Sequence, residues 1–250
     1  MSASHAETAL EIRDSVAVLT LNAPERYNAL TLPMCAELVA AMDEVDSTPD
    51  VGVLVVRGAG KAFCAGADLQ TLSAAGNDPL EPGAFADLSA LYETFVRLGR
   101  VTVPTLAAVR GAAVGAGMNL MLAADLRIVS SDARLISGFL KRGLHPGGGH
   151  FTLLDRVAGR DASAAMALFG EELDGEQAVR AGLAWESVSP AALDDRAWEL
   201  ARRAAWDPAL ARAAVANFRR ETGATPMSWD TALQVERTAQ MWSMRRGSQS

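Results

Sequence analysis

The sequence predicts an α/β protein in which strands and helices alternate over the first 190 residues and only helices follow. Residues 51–56 and 105–109 are short, continuous apolar runs, as in strands that are covered on both faces. Segments with helical periodicity lie between such runs, and only helical segments follow residue 191. This order is typical of an α/β core, here residues 1–190, with a helical C-terminal region at residues 191–250.

The first predicted elements are a strand, a helix and a second strand. Residues 15–21 (SVAVLTL) alternate and are rich in β-branched side chains, which favours a strand. Thr31 followed by Pro33 is typical of a helix start, and this helix is expected to run to about Val45. Residues 51–56 form the next strand, and the loop at residues 58–67 that follows is dense in Gly and Ala.

The alternation continues through the middle of the chain. The sequence predicts a short helix at residues 68–75, a mobile loop at 77–83 and a longer helix at 85–98. A buried strand at 105–109 leads into a second small-residue loop at 111–117, followed by a helix to about residue 124 and a strand at 126–129.

A third glycine loop, residues 144–150, precedes a run of helices. These helices are predicted at residues 151–157, 162–169 and 175–181, with a short strand at 185–188. Beyond residue 191 the sequence predicts three helices, which are broken near Pro208 and near residues 223–226.

Composition argues against several classes of function. The 250 residues carry a net charge of -7, so the basic surface of a nucleic-acid-binding protein is not expected. The two cysteines, Cys35 and Cys64, lack metal-ligand spacing and indicate a reduced, cytoplasmic compartment, with Cys64 expected to be a small buried side chain. The N-terminus lacks the pattern of a signal peptide. The apolar stretch at residues 103–124 contains Arg110 and several glycines, so no membrane span is expected there.

Two small-residue loops carry the predicted chemistry. One reads KAFCAGADL (residues 61–69), and the other reads GAAVGAGMNL (residues 111–120). Each follows a buried strand and ends at a predicted helix N-terminus, where backbone N–H groups have no acceptor within the helix. Two such termini that converge donate two hydrogen bonds to one oxygen, which is the geometry of an oxyanion hole.

These loops and their neighbours resemble the enoyl-CoA hydratase/isomerase (crotonase) family. Order and spacing agree from about residue 10 to about residue 190. The resemblance implies a crotonase-like spiral of ββα units, an acyl-CoA thioester as substrate, no permanently bound cofactor and no metal. The motifs are PERYNAL (24–30), FCAGADL (63–69), GAAVGAGMNL (111–120), AADLRI (123–128), GLHPGGG (143–149) and AVRAGL (178–183).

The resemblance also assigns roles to individual residues. The amides of Ala67 and Ala116 become the two donors that stabilise the enolate of the thioester carbonyl. Lys61 and Arg26 are expected near the CoA nucleotide, and such a pair suits phosphate groups in an acidic protein. Asp68 either assists binding or caps the helix that follows it. The predicted CoA and acyl contacts are Arg26, Ala29, Leu30, Lys61, Ala65, Gly66, Asp68, Leu69, Gly117 and Phe139.

The chain departs from the family at both acid–base positions. Hydratases of the family use two glutamates, and the corresponding residues here are Asn119 and Phe139, neither of which exchanges protons near neutral pH. No glutamate lies between residues 93 and 171, so a shift of a few positions does not restore one. Asn119 is expected to orient water or the thioester, and Phe139 to line an apolar acyl pocket. His145 and His150, which flank PGGG at residues 146–149, are candidate replacements.

Three functional hypotheses remain open from the sequence. The first is an acyl-CoA hydratase, isomerase or related enzyme that works through an enolate-like state. The second is a protein that binds acyl-CoA without catalysis, because the loops are intact while the glutamates are missing. The third is a serine-type hydrolase of related fold. It needs a serine with a nearby Lys or acid, and Ser137 lies in the right region.

The family resemblance implies a homotrimer or hexamer, with residues 191–250 as the trimerisation region. Trp198, Trp206, Trp229 and Trp242 fall in this region. Tryptophans there are expected to be buried, either between subunits or within the core of their own chain.

Overall fold

The computed structural model describes residues 6–68 and 81–222, together with residues 228–231, 233, 234, 237, 241 and 244. Its strands form a six-stranded and a four-stranded sheet. The larger sheet has the order β1-β2-β3-β5-β7-β10, in which β1 pairs antiparallel with β2 and the other neighbours are parallel. Its strands are β1 (Thr8–Arg13), β2 (Val16–Leu21), β3 (Val53–Gly58), β5 (Thr105–Val109), β7 (Leu126–Ser130) and β10 (Glu186–Val188).

The smaller sheet consists of very short strands in the order β4-β6-β8-β9. The first three are parallel, and β9 pairs antiparallel with β8. These strands are β4 (Ala62–Cys64), β6 (Ala112–Val114), β8 (Arg134–Ile136) and β9 (Glu172–Leu173).

Helices connect the two sheets and cover the larger one. The α-helices of the described ranges are α1 (Leu32–Ser47), α2 (Pro82–Arg100), α3 (Ala116–Leu122), α4 (His150–Ala167), α5 (Gly175–Arg180), α6 (Leu193–Ala204) and α7 (Pro208–Thr222). Short 3-10 turns occur at Pro24–Arg26 and Leu140–Arg142. None of the described helices is long and apolar enough to cross a bilayer.

The chain repeats one unit three times: a strand in the larger sheet, a strand in the smaller sheet, then a helix. The three units are β3-β4-α2, β5-β6-α3 and β7-β8-α4. The predicted α/β class and its ββα units are therefore confirmed. Because β4 and β6 are parallel neighbours, with a one-residue irregularity between Ala62 and Cys64, the segments that follow them leave the smaller sheet at the same end of the strands.

Successive side chains of β3 point to opposite faces of the larger sheet, and both faces are covered. Leu54 and Val56 point into the main core, which α1, α2 and α3 also line. Val53 and Val55 point to the opposite face, where they pack with apolar residues of α6. At least this part of the C-terminal region therefore packs on its own chain, and a role of residues 191–250 in trimerisation stays a prediction.

Most predicted elements are present, with small changes at their ends. Thr31 caps α1, its side chain accepting a hydrogen bond from the Met34 amide at 3.1 Å. The two helices predicted at 151–157 and 162–169 are joined as α4, which Gly159 interrupts with a φ of +77°. The predicted helix at 68–75 and most of the loop at 77–83 lie outside the described residues.

Several elements or their boundaries differ from the predictions. The loops predicted at 58–67 and 111–117 contain β4 and β6, and β8 was not expected at all. Strands of three residues are too short to show a periodicity in the sequence. The sequence also missed β1, whose charged residues mask its alternation. Helix α2 begins at Pro82, because Glu81 caps it by accepting from the Ala84 amide at 2.9 Å.

The described tryptophans of the C-terminal region differ in exposure. Trp198 packs with the α6 core and stacks under the Arg13 guanidinium, 4.2 Å from the ring centre. Trp229 packs against the main core of its own chain. Trp206 is 91% exposed in the single chain, so its expected burial is not met within the chain. Trp242 lies outside the described residues.

Close packing of α3 on β4 predicts that Gly117 does not tolerate a side chain. A Cβ at Gly117 would overlap the Cys64 carbonyl oxygen and lie 2.8 Å from the Cys64 Cβ. We expect Gly117→Ala to lower the free energy of unfolding by about 1–3 kcal/mol, because overpacking displaces the backbone. Denaturant unfolding measures the change.

Gly83→Ala is the matched control, because Gly83 is also the second residue of its helix. A Cβ there would lie 2.6 Å from the Glu81 carboxylate that caps α2, and no backbone atom is among its close neighbours. Moving this side chain weakens the cap by about 0.5–2 kcal/mol, but the higher helix propensity of Ala offsets about 1 kcal/mol, so the net change should stay below about 1 kcal/mol. Equal effects of the two substitutions would contradict this account of the packing.

Candidate active site

The candidate site lies where the chain leaves β4 and β6. These strands are parallel neighbours, with Ala62 opposite Ala112 and Cys64 opposite Ala113. The chain continues from β4 into Ala65–Asp68 and from β6 into the first turn of α3. Both small-residue loops predicted from the sequence therefore lie side by side.

Backbone hydrogen bonds fix the first loop. The Leu30 amide donates to the Gly66 carbonyl at 2.8 Å, and the Asp68 amide donates to the Leu30 carbonyl at 2.9 Å. Leu30 and Ala67 form an isolated parallel bridge. Both hydrogen bonds use backbone groups of Gly66 and Asp68, the neighbours of Ala67. The Ala67 N–H therefore points away from Leu30.

The second loop lies against the first with no side chain between them. A Cβ on Gly66, whose φ is +102°, would lie 2.9 Å from the Val114 carbonyl oxygen and 3.8 Å from the Ala116 nitrogen. Ala116 is the first residue of α3, so its N–H has no acceptor inside the helix. No hydrogen bond between described residues engages the Ala67 N–H or the Ala116 N–H.

A cavity of about 310 Å³ opens at this junction. Apolar side chains form much of its wall, and few polar groups point into it. Its lining residues are Arg26, Ala29, Ala65, Gly66, Ala67, Asp68, Leu91, Tyr92, Phe95, Val114, Gly115, Ala116, Asn119, Ser137, Gly138, Phe139, Arg142, Leu144 and Gly147.

The structure brings together most of the residues predicted from the sequence, but not all. Leu30 is buried and supports the first loop from behind. Gly117 is where α3 packs on Cys64. Lys61 is exposed at the turn before β4. None of these three lines the cavity. Leu69 lies outside the described residues.

His145 also lies away from the cavity lining. Its Nδ1 is 2.7 Å from the Pro146 carbonyl oxygen, and its ring packs edge-on against Phe151, with 5.8 Å between ring centres. The role of His145 in catalysis stays a prediction without support from this geometry. His150, the other candidate, does not line the cavity either, but it contacts the lining residues Ser137, Asn119 and Phe139.

A buried chain of hydrogen bonds runs along one wall of the cavity. The Ser137 Oγ lies 2.8 Å from the His150 Nε2. The His150 Nδ1 lies 2.7 Å from the Asn119 Oδ1. The Asn119 side-chain amide donates to the Gly147 carbonyl at 2.8 Å. Ser137, Asn119 and His150 are all buried, at 3%, 1% and 0% exposure.

These distances fix where the protons lie. The Asn119 NH₂ faces the Gly147 carbonyl, which only accepts, so the Asn119 Oδ1 faces His150. The proton on the imidazole is therefore on Nδ1. Nε2 is left with its lone pair, and it accepts the hydrogen bond that the Ser137 hydroxyl donates.

The surroundings of His150 oppose a charge on its ring. Burial lowers the pKa of His150 from 6.5 to about 3. The Phe139 ring packs edge-on against the imidazole at 4.9 Å between ring centres. His150 is thus neutral across the physiological pH range.

Charged groups lie at other parts of the cavity. Arg26 forms an ion pair with Glu7 at 2.7 Å and is partly buried. Arg142 is exposed, and no ion pair of Arg142 is found among the described residues. Asp68 is the only carboxyl group among the described residues that line the cavity.

Cys64 is buried beneath the site, as expected for a packing residue. Burial raises the pKa of its thiol to about 12, so the thiolate is not available near neutral pH. Within the described ranges, no group of three or more His, Cys, Asp or Glu side chains is arranged to hold a metal ion.

Sequence reasoning missed several residues of the cavity. Arg142 lies in a stretch of sequence without a regular pattern, so nothing in the sequence indicated that it lines the cavity. Leu91, Tyr92 and Phe95 occupy one face of α2, at spacings that also describe an ordinary core helix. Ser137 was noted, but its partner was expected to be Lys or an acid, whereas the partner is His150.

Comparisons with known proteins identify the family to which the chain is similar. The family model described as enoyl-CoA hydratase/isomerase matches residues 11–245. A "probable enoyl-CoA hydratase echA14" of Mycobacterium tuberculosis is 50% identical over 175 residues, which cover 70% of this chain and 67% of that protein. The 1,2-epoxyphenylacetyl-CoA isomerase of Escherichia coli K12 is 35% identical over 232 residues, covering 92% of this chain and 87% of that enzyme.

A solved structure gives the same result for the fold. An enoyl-CoA hydratase/isomerase from Xanthobacter autotrophicus Py2 superposes with a TM-score of 0.86 at 31% identity, covering 95% of this chain and 88% of that one. The predicted crotonase fold is thereby confirmed.

The low pKa of His150 predicts a specific dependence of stability on pH. The unfolded chain takes up a proton on this residue near pH 6.5, but the folded chain does so only near pH 3. The contribution of His150 is therefore complete above pH 6.5 and decreases as the pH falls towards 3. At pH 5 the loss is about 2 kcal/mol.

Denaturant unfolding at pH 7 and pH 5 tests this dependence. His150→Gln should remove about 2 kcal/mol of the difference between the two pH values, whatever its effect at pH 7. His145→Gln is the control and should keep most of the wild-type difference. A His150→Gln variant with the full wild-type difference would show that His150 is not buried in its neutral form.

Proposed function

The chain belongs to the enoyl-CoA hydratase/isomerase family, and we propose that it binds an acyl-CoA thioester and stabilises negative charge on the thioester carbonyl oxygen. The Ala67 and Ala116 amides are the donors. The observation that carries the proposal is the junction of the two loops, where both N–H groups lie beside one cavity and neither is used by the described residues. Two preorganised donors of this kind stabilise an enolate or a tetrahedral oxyanion.

The residues that line the cavity suit both parts of an acyl-CoA. Arg26 and Arg142 supply positive charge at the cavity in a protein whose net charge is -7. Such local cations favour phosphate groups. Leu91, Phe95 and Phe139 supply apolar surface that suits an acyl chain. CoA is thus part of the substrate in this proposal, and no permanent cofactor is required.

The acid–base groups favour a reaction other than hydration by two carboxylates. Asn119 and Phe139 occupy the positions where the family resemblance places glutamates, and Asp68 is the only carboxyl among the described lining residues. Isomerisation or another step that uses the oxyanion donors and the Ser137–His150 pair fits these side chains better. The specific reaction and acyl group are not part of the proposal.

Binding without catalysis is the second candidate, because the cavity contains so few groups that exchange protons. Assays of crotonyl-CoA hydration and of enoyl-CoA double-bond isomerisation distinguish the two. Binding of acyl-CoA with no turnover in any such assay would favour the second candidate. The proposal also includes the homotrimer or hexamer implied by the family resemblance and the cytoplasmic location indicated by the two cysteines.

The charge at the cavity gives a direct test of CoA binding. We expect Arg142→Ala to weaken the binding of a short and a long acyl-CoA by about three- to tenfold, because it removes a cation that pairs with phosphate. Isothermal titration calorimetry measures the affinities. An acyl-pantetheine, which lacks the nucleotide phosphates, should bind both proteins equally.

Lys141→Ala is the matched control for this experiment. Lys141 is the neighbouring cation, but its ammonium group pairs with Glu172 at 2.8 Å and does not line the cavity. Its substitution should leave acyl-CoA affinity unchanged. If no CoA thioester binds the wild-type protein, the proposed function is wrong.

A further inference from the structure

The hydrogen-bonded chain from Ser137 to Asn119 is not needed for an oxyanion hole alone. Its members are buried at the cavity wall, and each polar atom faces a specific partner. A hydroxyl that donates to an imidazole, whose other nitrogen is held by a third group, is the arrangement of an activated nucleophile.

We propose that the protein hydrolyses acyl-CoA thioesters, with Ser137 as the nucleophile, His150 as its base and Asn119 as a positioning residue. The inference rests on the proposed function, because it requires the thioester carbonyl to be bound at Ala67 and Ala116.

The position of Ser137 relative to the oxyanion donors supports the inference. The Gly115 amide donates to the Ile136 carbonyl at 2.9 Å, which fixes the residue before Ser137 against the residue before Ala116. The Ser137 carbonyl oxygen lies 3.5 Å from the point where a Cβ on Gly115 would stand. Ser137 and Ala116 thus adjoin on the same wall, as a nucleophile and its oxyanion donor must.

The imidazole is held in the tautomer that the reaction needs. Because Asn119 accepts from Nδ1–H, the Nε2 lone pair faces the Ser137 hydroxyl and can take its proton. An asparagine in this place orients a histidine, as in cysteine proteases with a Cys-His-Asn arrangement. It does not neutralise the imidazolium that forms during the reaction, and the burial that lowers the pKa of His150 to about 3 also opposes this charge. Slow turnover is therefore expected.

The steps balance with water as the only co-reactant. The Ser137 Oγ bonds to the thioester carbonyl carbon as its proton passes to His150 Nε2, and the carbonyl oxygen becomes an oxyanion at the two amides. The C–S bond then breaks, and the leaving CoA sulfur receives the proton from His150. The acyl group remains as an ester on Ser137.

Hydrolysis of this ester returns the site to its starting state. Water adds to the ester carbonyl and gives a proton to His150. The bond to Ser137 Oγ then breaks, Oγ takes the proton back, and the carboxylic acid leaves. Neither oxidant nor reductant is involved.

Release of CoA thiol and the mass of the intact protein test the proposal. Wild-type protein incubated with a short acyl-CoA should release thiol above the uncatalysed rate. A fraction of it should gain the mass of one acyl group on the peptide that contains Ser137. Ser137→Ala should lose at least tenfold in thiol release and all of the covalent acyl group, while calorimetric binding of the acyl-CoA persists.

The control is Ser163→Ala. Ser163 is a buried serine on α4 that does not line the cavity, so this variant should release thiol like the wild type. Asn119→Ala should lower kcat for thiol release with little change in KM. Asn119→Asp, which keeps an acceptor for Nδ1–H, should recover part of the rate. A higher KM with an unchanged kcat would mean that Asn119 shapes the pocket and does not position His150.

The outcomes separate this inference from the proposed function. If acyl-CoA binds but thiol is not released, or if Ser137→Ala releases thiol at the wild-type rate, the hydrolysis is wrong and the binding function stands. If no acyl-CoA binds, both are wrong. If Ser137→Ala does not fold, the acylated peptide from wild-type protein still tests whether Ser137 is the nucleophile. Acylation at any other residue would show that it is not.

Discussion

Direct contact between the Gly66 segment and the first turn of α3 determines the geometry of the whole site. The contact exists because β4 and β6 are paired and parallel, and because Gly66 places no side chain between the loop and the Val114 carbonyl. Gly117 has the equivalent role at the second residue of α3, which packs directly on Cys64. With these two contacts in place, the Ala67 and Ala116 amides border one cavity, and Asn119 is carried on the same helix towards His150.

Except for β1, the strands of the larger sheet could be predicted from the sequence, whereas those of the smaller sheet could not. Runs such as residues 51–56 and 105–109 are apolar enough to identify a sheet covered on both sides. Strands β4, β6 and β8 have three residues each and exist because neighbouring repeats pair them. That pairing is a tertiary interaction between segments about fifty and about twenty residues apart, and no local pattern records it.

The backbone donors of the candidate site could be predicted from the sequence more readily than its side-chain groups could. Helix N-termini after small-residue loops predicted two backbone donors, and the family resemblance assigned them to Ala67 and Ala116. Lys61 was selected from a family motif and His145 for its residue type next to the third glycine loop, and neither lines the cavity. The pairing of Ser137 with His150 joins β8, the third glycine loop and α4, so only the folded chain brings the two atoms within 2.8 Å.

The proposed function requires that a thioester carbonyl accepts hydrogen bonds from the Ala67 and Ala116 amides. Isotope-edited infrared spectroscopy of a ¹³C=O-labelled acyl-CoA measures this directly, because hydrogen bonding lowers the stretching frequency of a carbonyl. Binding to the wild-type protein should lower it. Ala116→Pro deletes one N–H at a first helical position, where proline is tolerated, and should reverse part of the shift, whereas Ala116→Ser should not. A bound carbonyl at the frequency of free acyl-CoA would contradict the account.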